Sequence, residues 1–340
     1  MDPLSQGALG ASTSQSVASR KHIVLAGILG WIGGMAPDLD VLIRSPEDPL
    51  LFLEYHRQFT HSLVFIPVGA FICALVLYPV TRRHLSLRES WLWCLLGYAT
   101  HGLLDACTSY GTQLFWPFTN ARIAWNNVSV IDPLFTLPLL LGVIVAFVRR
   151  SPRAARFGIG WAIAYLALGL LQTHRAQQAG EHIAASRGHA PVAVSAKPSF
   201  ANLLVWKTVY AYDGYFHVDA VRTGARVRWM AGDRLPTLDV DRDLPWLDPA
   251  SQQARDIERF RWFSADFIAL DPVRPDTVVD IRYSMLPQEI DALWGIGLDR
   301  NADPAAHVRY EVWRDGARER GPALLDMIND REFGSPLPTP

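Results

Sequence analysis

Long apolar stretches dominate the first half of the chain, and short polar segments separate them. The second stretch has no charged residue and approaches the ~20 residues that a helix needs to cross a bilayer, whereas the first is short and rich in glycine. The third is apolar apart from one histidine and one aspartate. The pattern predicts about five transmembrane or membrane-embedded helices, over residues 22–36, 62–80, 91–108, 131–148 and 157–172.

The pattern changes after residue 200, where shorter apolar runs alternate with turn residues. Asp213-Gly214 and Thr223-Gly224 have the composition of hairpin turns. The sequence therefore predicts a mainly α membrane protein followed by a small β-rich extramembrane domain. We expect its strands over residues 203–212, 215–222, 226–230, 259–269, 277–284 and 308–314.

Composition divides the chain into four parts. Residues 1–19 are rich in Ser, Gly and Ala, which predicts a flexible N-terminal tail. Residues 20–172 form the membrane-embedded helical domain, which also holds the candidate metal site. Residues 173–199 are polar and predict a helical extension followed by a linker, and residues 200–335 form the β-rich domain.

The distribution of charge predicts an orientation and excludes one class of partner. A net charge of −1 gives no basic face for nucleic acid. Nine Arg and Lys residues lie before the first apolar segment, between the second and third, and between the fourth and fifth, against three in the opposite loops. The positive-inside rule then places the N-terminus in the cytoplasm. Five crossings would place the C-terminal domain in the periplasm or outside the cell.

Ionisable residues inside apolar segments are costly in a bilayer and require an explanation. His101 and Asp105 are four residues apart, so both project from one helix face and could hold one ion. A histidine hydrogen-bonded to its own acid is the alternative. His61 opens the second apolar segment, and His56 lies at its rim. Imidazole nitrogen combined with carboxylate oxygen suits zinc, manganese or iron.

Two further acids and one further histidine complete the candidate set. Asp38 and Asp40 alternate after Pro37, where either could instead cap a helix. His22 begins the first apolar segment and could equally be an interfacial histidine. In the predicted orientation, all the candidates except His22 lie on the outer side of the membrane. Their convergence would satisfy a site for two cations.

The motifs that carry these residues resemble the YdjM-type family of bacterial inner-membrane proteins, whose members are described as metal-dependent hydrolases. The resemblance covers about residues 20–172. It rests on Pro37-Asp38-Leu39-Asp40, on His56-Arg57-x-Phe59-Thr60-His61-Ser62, on Gly97-Tyr98-x-x-His101-x-x-x-Asp105-x-x-Thr108-x-Tyr110-Gly111 and on Trp116-Pro117-Phe118.

The order of these residues is also similar to the ligand order of the zinc phospholipase C and nuclease superfamily, which has a helical fold. That similarity implies a divalent metal, zinc before manganese. The ligands it implies are His22, Asp40, His61, His101 and Asp105, and His56 is a further candidate.

Together, these observations predict a multi-pass, membrane-bound, metal-dependent hydrolase at the outer face of the bacterial inner membrane. Its partners would be the lipid bilayer and a phosphoester or lipid-linked substrate. Asp38 is the candidate catalytic residue that orients water or acts as a general base. Arg57, with Arg122, is the candidate that holds a substrate phosphate, and contact with lipid headgroups is the alternative for both arginines.

The alternative is a non-enzymatic membrane protein. Its His and Asp residues would hold a structural metal or pass ions or protons, and its β-rich domain would bind a protein partner. A serine or cysteine hydrolase is disfavoured, because the chain has no GxSxG motif and its three cysteines lie in apolar segments.

Overall fold

The computed structural model describes residues 1–314, 316–331, 333 and 335–337, and the chain forms two compact units. The first unit comprises Met1–Ile43, Tyr55–Leu171 and Phe200–Asn202. The second unit comprises Arg44–Glu54, Gln172–Ser199 and Leu203–Pro340.

The first unit is helical, and each of the five apolar stretches lies in a helix. Two short 3-10 helices, Ala36–Leu42 and Phe59–His61, interrupt the longer helices. The α-helices of the first 186 residues are α1 Pro3–Val17, α2 Ile23–Met35, α3 Leu51–Tyr55, α4 Ile66–Thr81, α5 Leu87–Ala106, α6 Pro133–Arg149 and α7 Pro152–Ser186. Helix α7 contributes to both units.

The expectation of a flexible N-terminal tail is wrong, because most of residues 1–19 form helix α1. Asp2 caps the helix, since its side chain accepts a hydrogen bond from the Ser5 amide. The helix packs against α2, α5 and α6. Its polar residues are buried rather than solvated, which hydropathy could not reveal.

Glycines allow helices α1, α2 and α5 to approach closely. A Cβ atom added at Gly97 of α5 would lie 2.1 Å from the Gly30 carbonyl oxygen of α2, and one added at Gly10 of α1 would lie 2.4 Å from the same oxygen. Any side chain would therefore meet backbone. Such contacts between small residues are typical of helix packing in membranes.

The helices that are long and apolar enough to count as candidate membrane spans number two or three in the described part of the chain, whereas the sequence predicted about five. Among the described residues, Ile23–Leu42 and α7 are long and apolar enough to cross a bilayer. Leu51–His61 and α4 form a pair bent by 88°, which adds a third crossing if the pair acts as one span. Helix α6 is apolar but has 17 residues. Five spans are therefore not confirmed, although the apolar segments are helical.

The second unit contains two antiparallel sheets, as a β-rich domain requires. Strands β2 and β3 join at Asp213 and Gly214, whose φ angles of 49° and 73° suit a tight hairpin turn. The first sheet has the order β1-β2-β3-β4-β9 and the second β5-β6-β7-β8. The strands are β1 Ser195–Pro198, β2 Val205–Tyr212, β3 Tyr215–Thr223, β4 Val227–Pro236, β5 Ile268–Leu270, β6 Thr277–Asp280, β7 Trp294–Gly297, β8 Arg309–Val312 and β9 Ser335–Pro336.

Helices also contribute to the second unit, and one replaces most of a predicted strand. The strand expected over residues 259–269 is wrong over its first part, which lies in α9. Ser251 caps this helix, and Ile257, Phe260 and Phe263 recur at every third position and are buried. The helices after residue 200 are α8 Val240–Asp243, α9 Gln252–Phe263 and α10 Ala317–Ile328.

The polar stretch 173–199 begins with the expected helical extension, and a strand lies at the end of the segment where a linker was expected. Its first part continues α7 to Ser186, and β1 at its end pairs with β2. A polar residue near its start has structural partners: Arg175 donates to the carbonyl oxygens of Thr223 and Gly224 at 3.0 and 2.7 Å. Polarity in this stretch therefore reflects hydrogen bonding within the second unit.

Candidate metal centre

Three breaks or ends of helices bring the candidate residues together in the first unit. Helix α2 ends at Met35, and the following 3-10 helix, with Pro37 in its first turn, carries Asp38 and Asp40. The second 3-10 helix ends at His61, just before α4. His101 and Asp105 lie in the last turns of α5. The i, i+4 spacing therefore places both side chains on one helix face, as the sequence predicted.

Four of these side chains form one cluster, made of Asp38, His61, His101 and Asp105. The Nε2 atom of His61 lies 3.4 Å from Asp38 Oδ1 and 3.3 Å from Asp105 Oδ2. The Nε2 atom of His101 lies 3.3 Å from Asp38 Oδ1 and 3.7 Å from Asp105 Oδ2. Asp38 is the only member with an appreciably exposed side chain, at 28%. The cluster is therefore accessible on the Asp38 side.

Hydrogen bonds fix the tautomers of both histidines. His101 Nδ1 lies 2.6 Å from the Gly34 carbonyl oxygen, which can only accept, so this nitrogen carries the proton. Thr60 Oγ1 donates its proton to Asp40 Oδ2, so it accepts from His61 Nδ1 at 2.9 Å. In the neutral rings, each Nε2 then presents a lone pair toward the cluster.

The two lone pairs face each other at close range. His61 Nε2 and His101 Nε2 are 2.9 Å apart. Two unprotonated nitrogens repel at this distance, so the arrangement requires a positive charge between them, either a proton on one ring or a metal ion. Two carboxylate oxygens point to the same place, which completes the nitrogen and oxygen ligand set that zinc and manganese accept.

One buried carboxylate oxygen of Asp105 lacks a hydrogen-bond partner among the described residues, which supports the fit of a cation to these ligands. Its Oδ1 accepts a hydrogen bond from Gln6 Nε2 at 3.0 Å and contacts the Met1 amine. Its Oδ2 has no hydrogen-bond partner among the described residues, although Arg57 Nε lies 3.2 Å away. A buried carboxylate oxygen without a donor is costly. A cation beside the histidines would satisfy it.

Asp40 belongs to a neighbouring group with His56 and His61 that could also hold an ion. However, hydrogen bonds already occupy its oxygens: Oδ1 lies 2.7 Å from His56 Nδ1, and Oδ2 accepts from Thr60 Oγ1 at 2.7 Å and from the Arg57 amide at 3.1 Å. Asp40 thus holds His61 in place, as carboxylates behind metal-binding histidines do. The motif order predicts Asp40 as a ligand and Asp38 as a catalytic residue, whereas the structure places Asp38 in the four-residue cluster.

His22 does not join either group, so the structure does not bring this predicted ligand to the cluster. It immediately precedes α2, and Asp38 follows the end of that helix, so about 13 residues at 1.5 Å each separate them along the axis. His22 Nδ1 instead lies 3.7 Å from Glu89 Oε1, near the beginning of α5. The order of residues in the sequence could not indicate which helix end His22 occupies.

The two candidate arginines have different surroundings. Arg57 is buried at a left-handed backbone position with φ of 69°, contacts Asp105 and donates to Thr108 Oγ1 at 3.0 Å. Arg122 donates to the carbonyl oxygens of Tyr110 and Gly111, both at 3.1 Å, and so braces its own loop. Arg57 alone adjoins the cluster.

Sequence reasoning missed several groups around the cluster. Gln6 lies in the predicted tail, and the Gly34 carbonyl belongs to an apolar helix without a polar side chain, so neither gave a signal. Thr60 could have been found, because it lies directly beside His61 within the quoted motif.

Comparisons with known proteins place the first unit in a family. The profile of the YdjM inner membrane protein family matches residues 1–176, just over half of the chain. Inner membrane protein YbcI of Escherichia coli (strain K12) is 34% identical over 107 residues, which cover 30% of this chain and 60% of YbcI. Uncharacterized protein YfhP of Bacillus subtilis (strain 168) is 28% identical over 131 residues, which cover 38% of this chain and 39% of YfhP.

These matches span less than two thirds of either relative, and no solved structure matches the chain. The family match includes α1 and every residue of the four-residue cluster. The chain belongs to the YdjM inner membrane protein family.

Proposed function

We propose that this protein is a metal-dependent hydrolase of the inner membrane, with one divalent cation held by Asp38, His61, His101 and Asp105. The observation that carries the proposal is the 2.9 Å approach of two Nε2 atoms whose rings both donate through Nδ1. Zinc suits the two imidazoles and two carboxylates best, and manganese is the second choice.

A cation bound there supplies Lewis acidity and lowers the pKa of water. The residues of the chain supply the remaining functions. Asp38, the most exposed member of the cluster, directs Oδ1 toward both histidines, so Oδ1 would hold the cation and Oδ2 would accept the proton of the attacking water. Arg57 balances the charge of Asp105 and offers its guanidinium to an anionic substrate group. Asp40, through Thr60, keeps the His61 ring oriented.

A phosphoester of a lipid or a lipid-linked molecule is the proposed substrate. The cluster lies at the end of α2, and Asp38 is four residues before the end of the candidate span Ile23–Leu42, which suits a substrate anchored in the bilayer. Away from the cluster, Arg156 Nε donates to the carbonyl oxygen of Ser16. Ser16 is near the C-terminal end of α1, a few residues before the start of α2. This distribution supports basic loops at the cytoplasmic side, the metal cluster at the outer side and a multi-pass topology.

Metal binding is the first test, and its readout does not depend on activity. The purified full-length protein in nanodiscs is stripped with chelator and titrated with Zn²⁺ and with Mn²⁺ by calorimetry, and metal content is measured by mass spectrometry. We expect one tightly bound ion per chain. His101→Gln should weaken binding at least tenfold because it removes a ligand, whereas His22→Gln, the matched control, should leave the Kd unchanged. A parent protein that binds neither ion contradicts the proposal.

Hydrolysis is the second test and separates the enzyme from the non-enzymatic alternative. Zinc-loaded protein is incubated with bis(p-nitrophenyl) phosphate and with vesicles of an anionic phospholipid. The enzyme hypothesis expects turnover that chelator abolishes, zinc restores and Asp38→Asn removes. A protein that binds zinc tightly but hydrolyses neither class of phosphoester, and instead conducts ions in a liposome flux assay, supports the alternative.

A further inference from the structure

One segment of the second unit lies between two parts of the metal-site sequence. Residues Arg44–Glu54 belong to the second unit, although the first unit contains the chain on both sides of them. Asp38 and Asp40 come shortly before this segment, and His56, Arg57 and His61 come shortly after it. Contacts that fix residues 44–54 therefore also restrict the site residues before and after this segment, because the backbone is continuous.

The guanidinium of Arg259 in helix α9 donates three hydrogen bonds to acidic residues of this segment. Its Nη1 and Nη2 atoms donate to the two oxygens of Asp48, at 3.0 and 2.7 Å, and its Nε donates to Glu54. Nη1 also donates to Asp256 of its own helix at 2.8 Å. Only the planar guanidinium can make a bidentate contact and a third directed bond at once.

Neighbouring groups in the second unit support the same segment. The ring of Phe52 packs edge-on against Tyr310 of β8, with centroids 5.1 Å apart. His307 Nδ1 lies 2.8 Å from Asp256 Oδ2, which fixes the buried acid beside Arg259. Burial raises the pKa of the Asp48 carboxyl, but hydrogen bonds from Arg259 outweigh it, so the pKa lies below its ordinary value.

We propose that Arg259 is a positioning residue for the metal cluster, which clamps residues 44–54 and thereby orders Asp38 and His61 on either side. The effect on metal binding rests on the proposed function, whereas the effect on backbone order does not. The clamp gives the C-terminal unit a role in the chemistry of the N-terminal one. It also explains why the loop between two site motifs packs with the C-terminal sequence.

Loss of this arginine has a larger effect than loss of a simple ion pair. Without its charge, Asp48, Glu54 and Asp256 face one another as three carboxylates. Their repulsion pushes segment 44–54 away from α9. The released segment has more conformational entropy, and the binding of an ion must remove this entropy before the ligands can converge.

Hydrogen exchange tests the backbone part of the proposal without any metal. Full-length parent, Arg259→Ala and Arg261→Ala are compared in nanodiscs after treatment with chelator. Arg261 is the matched control, because it lies on the same helix and, among the described residues, its side chain pairs locally with Glu258 at 3.1 Å. We expect faster exchange in Arg259→Ala over residues 44–54 and also over 36–43 and 55–61. Faster exchange confined to 44–54 overturns the positioning role.

A double-mutant cycle tests the consequence for the ion, with Zn²⁺ as the ligand and Co²⁺ absorption as the spectroscopic readout. Arg259→Ala and Asp48→Asn should each raise the Kd about tenfold, as losses of supporting groups around metal sites do. The double variant should be no worse than either single variant, and Arg259→Lys should not restore the parent Kd. An unchanged Kd and Co²⁺ spectrum in folded Arg259→Ala overturns the proposal. Absence of binding in the parent contradicts the proposed function instead, and the exchange experiment then decides the clamp alone.

Discussion

Helices α1 and α4 have nearly equal lengths, 15 and 16 residues, but the more polar helix is the more buried one. Helix α1 is rich in Ser, Gly and Gln, yet most of it is buried. Helix α4 is almost wholly apolar, yet its exposed residues include Val68, Phe71, Ile72, Leu75, Val76 and Val80. In this membrane protein, hydropathy therefore identifies the surface available to lipid, while small and polar residues form the contacts between helices.

The physical reason is the absence of water in the bilayer. Lipid tails are as apolar as a leucine side chain, so an apolar residue gains little by moving from lipid into the protein interior. Helices associate instead where backbones can approach closely and where hydrogen bonds cross between them. Helix α1 offers both: Gly10 meets the Gly30 carbonyl, and Ser14 donates to the Trp93 carbonyl oxygen at 2.9 Å.

Among the single substitutions, the largest expected loss of stability comes from adding a methyl group where helices α2 and α5 approach each other closely. Gly97→Ala should lower the free energy of unfolding by about 1–3 kcal/mol, because its Cβ would lie 2.1 Å from a backbone oxygen that cannot rotate away. Gly160→Ala in α7 is the control, since no atom lies within 4 Å of its added Cβ. It should stabilise the helix by up to ~1 kcal/mol through propensity alone. Thermal unfolding in detergent, followed by circular dichroism, measures both. Equal effects would contradict the role of the contact.

The same contrast explains which parts of the fold the sequence predicts. Apolar periodicity locates α2 and α4–α7 and the first hairpin of the sheet, because the signal comes directly from residues facing lipid or the sheet core. It misses α1, because the buried face of that helix is polar. The strand expected over residues 259–269 is wrong over α9, because the apolar residues of that helix recur at helical rather than strand spacing. Local composition cannot show which neighbour satisfies a polar group.

The metal cluster shows a similar division. The spacing of His101 and Asp105 predicts a shared helix face, and the structure adds His61 and Asp38 to it. The exchange of roles between Asp38 and Asp40 depends on a 3-10 turn that directs one acid to the cluster and the other to Thr60. The separation of His22 from the cluster depends on the length of α2. Both are three-dimensional properties that motif order leaves open.

A second prediction extends the comparison to buried charge in the C-terminal unit. Lys197 and Lys207 are cross-strand partners in β1 and β2, and burial lowers the pKa of each to about 7. In the unfolded chain they keep a proton up to about pH 10.4. Between these values the unfolded state binds more protons, so stability should rise with pH by up to ~1.4 kcal/mol per pH unit and per lysine.

Chemical unfolding at pH 7, 8 and 9, followed by tryptophan fluorescence, checks this expectation. Lys207→Met should flatten the rise because it removes one titrating group. Lys21→Met, a substitution of the same type outside the β-sheets, should retain the full slope. A stability of the parent that does not rise between pH 7 and 9 would show that the buried lysines stay protonated in the folded state.

A third prediction asks whether every buried polar residue of α1 contributes to packing. Both polar atoms of the Gln15 side chain are buried and have no hydrogen-bond partner among the described residues. Gln15→Met keeps a similar shape without the desolvation cost, so it should raise the free energy of unfolding by about 1 kcal/mol. Ser14→Ala should lower it by a similar amount, because that change removes a bond to α5. The same thermal assay compares them. Destabilisation by Gln15→Met would mean that its amide is needed.

The smallest expected effect concerns the face of α4 that is open to lipid. Val76 is 71% exposed, whereas Val143 of α6 is 9% exposed, so the two provide a matched pair of valine truncations. Val76→Ala should change the free energy of unfolding by less than about 0.5 kcal/mol, because the lost methyl groups face a solvent of the same polarity. Val143→Ala should cost about 1–2 kcal/mol through a cavity between helices. Both variants are measured in the same lipid, since a change of lipid would alter the reference. An equal loss of unfolding free energy at Val76 and Val143 would mean that a protein surface, rather than lipid, covers α4. That result would contradict the contrast between α1 and α4.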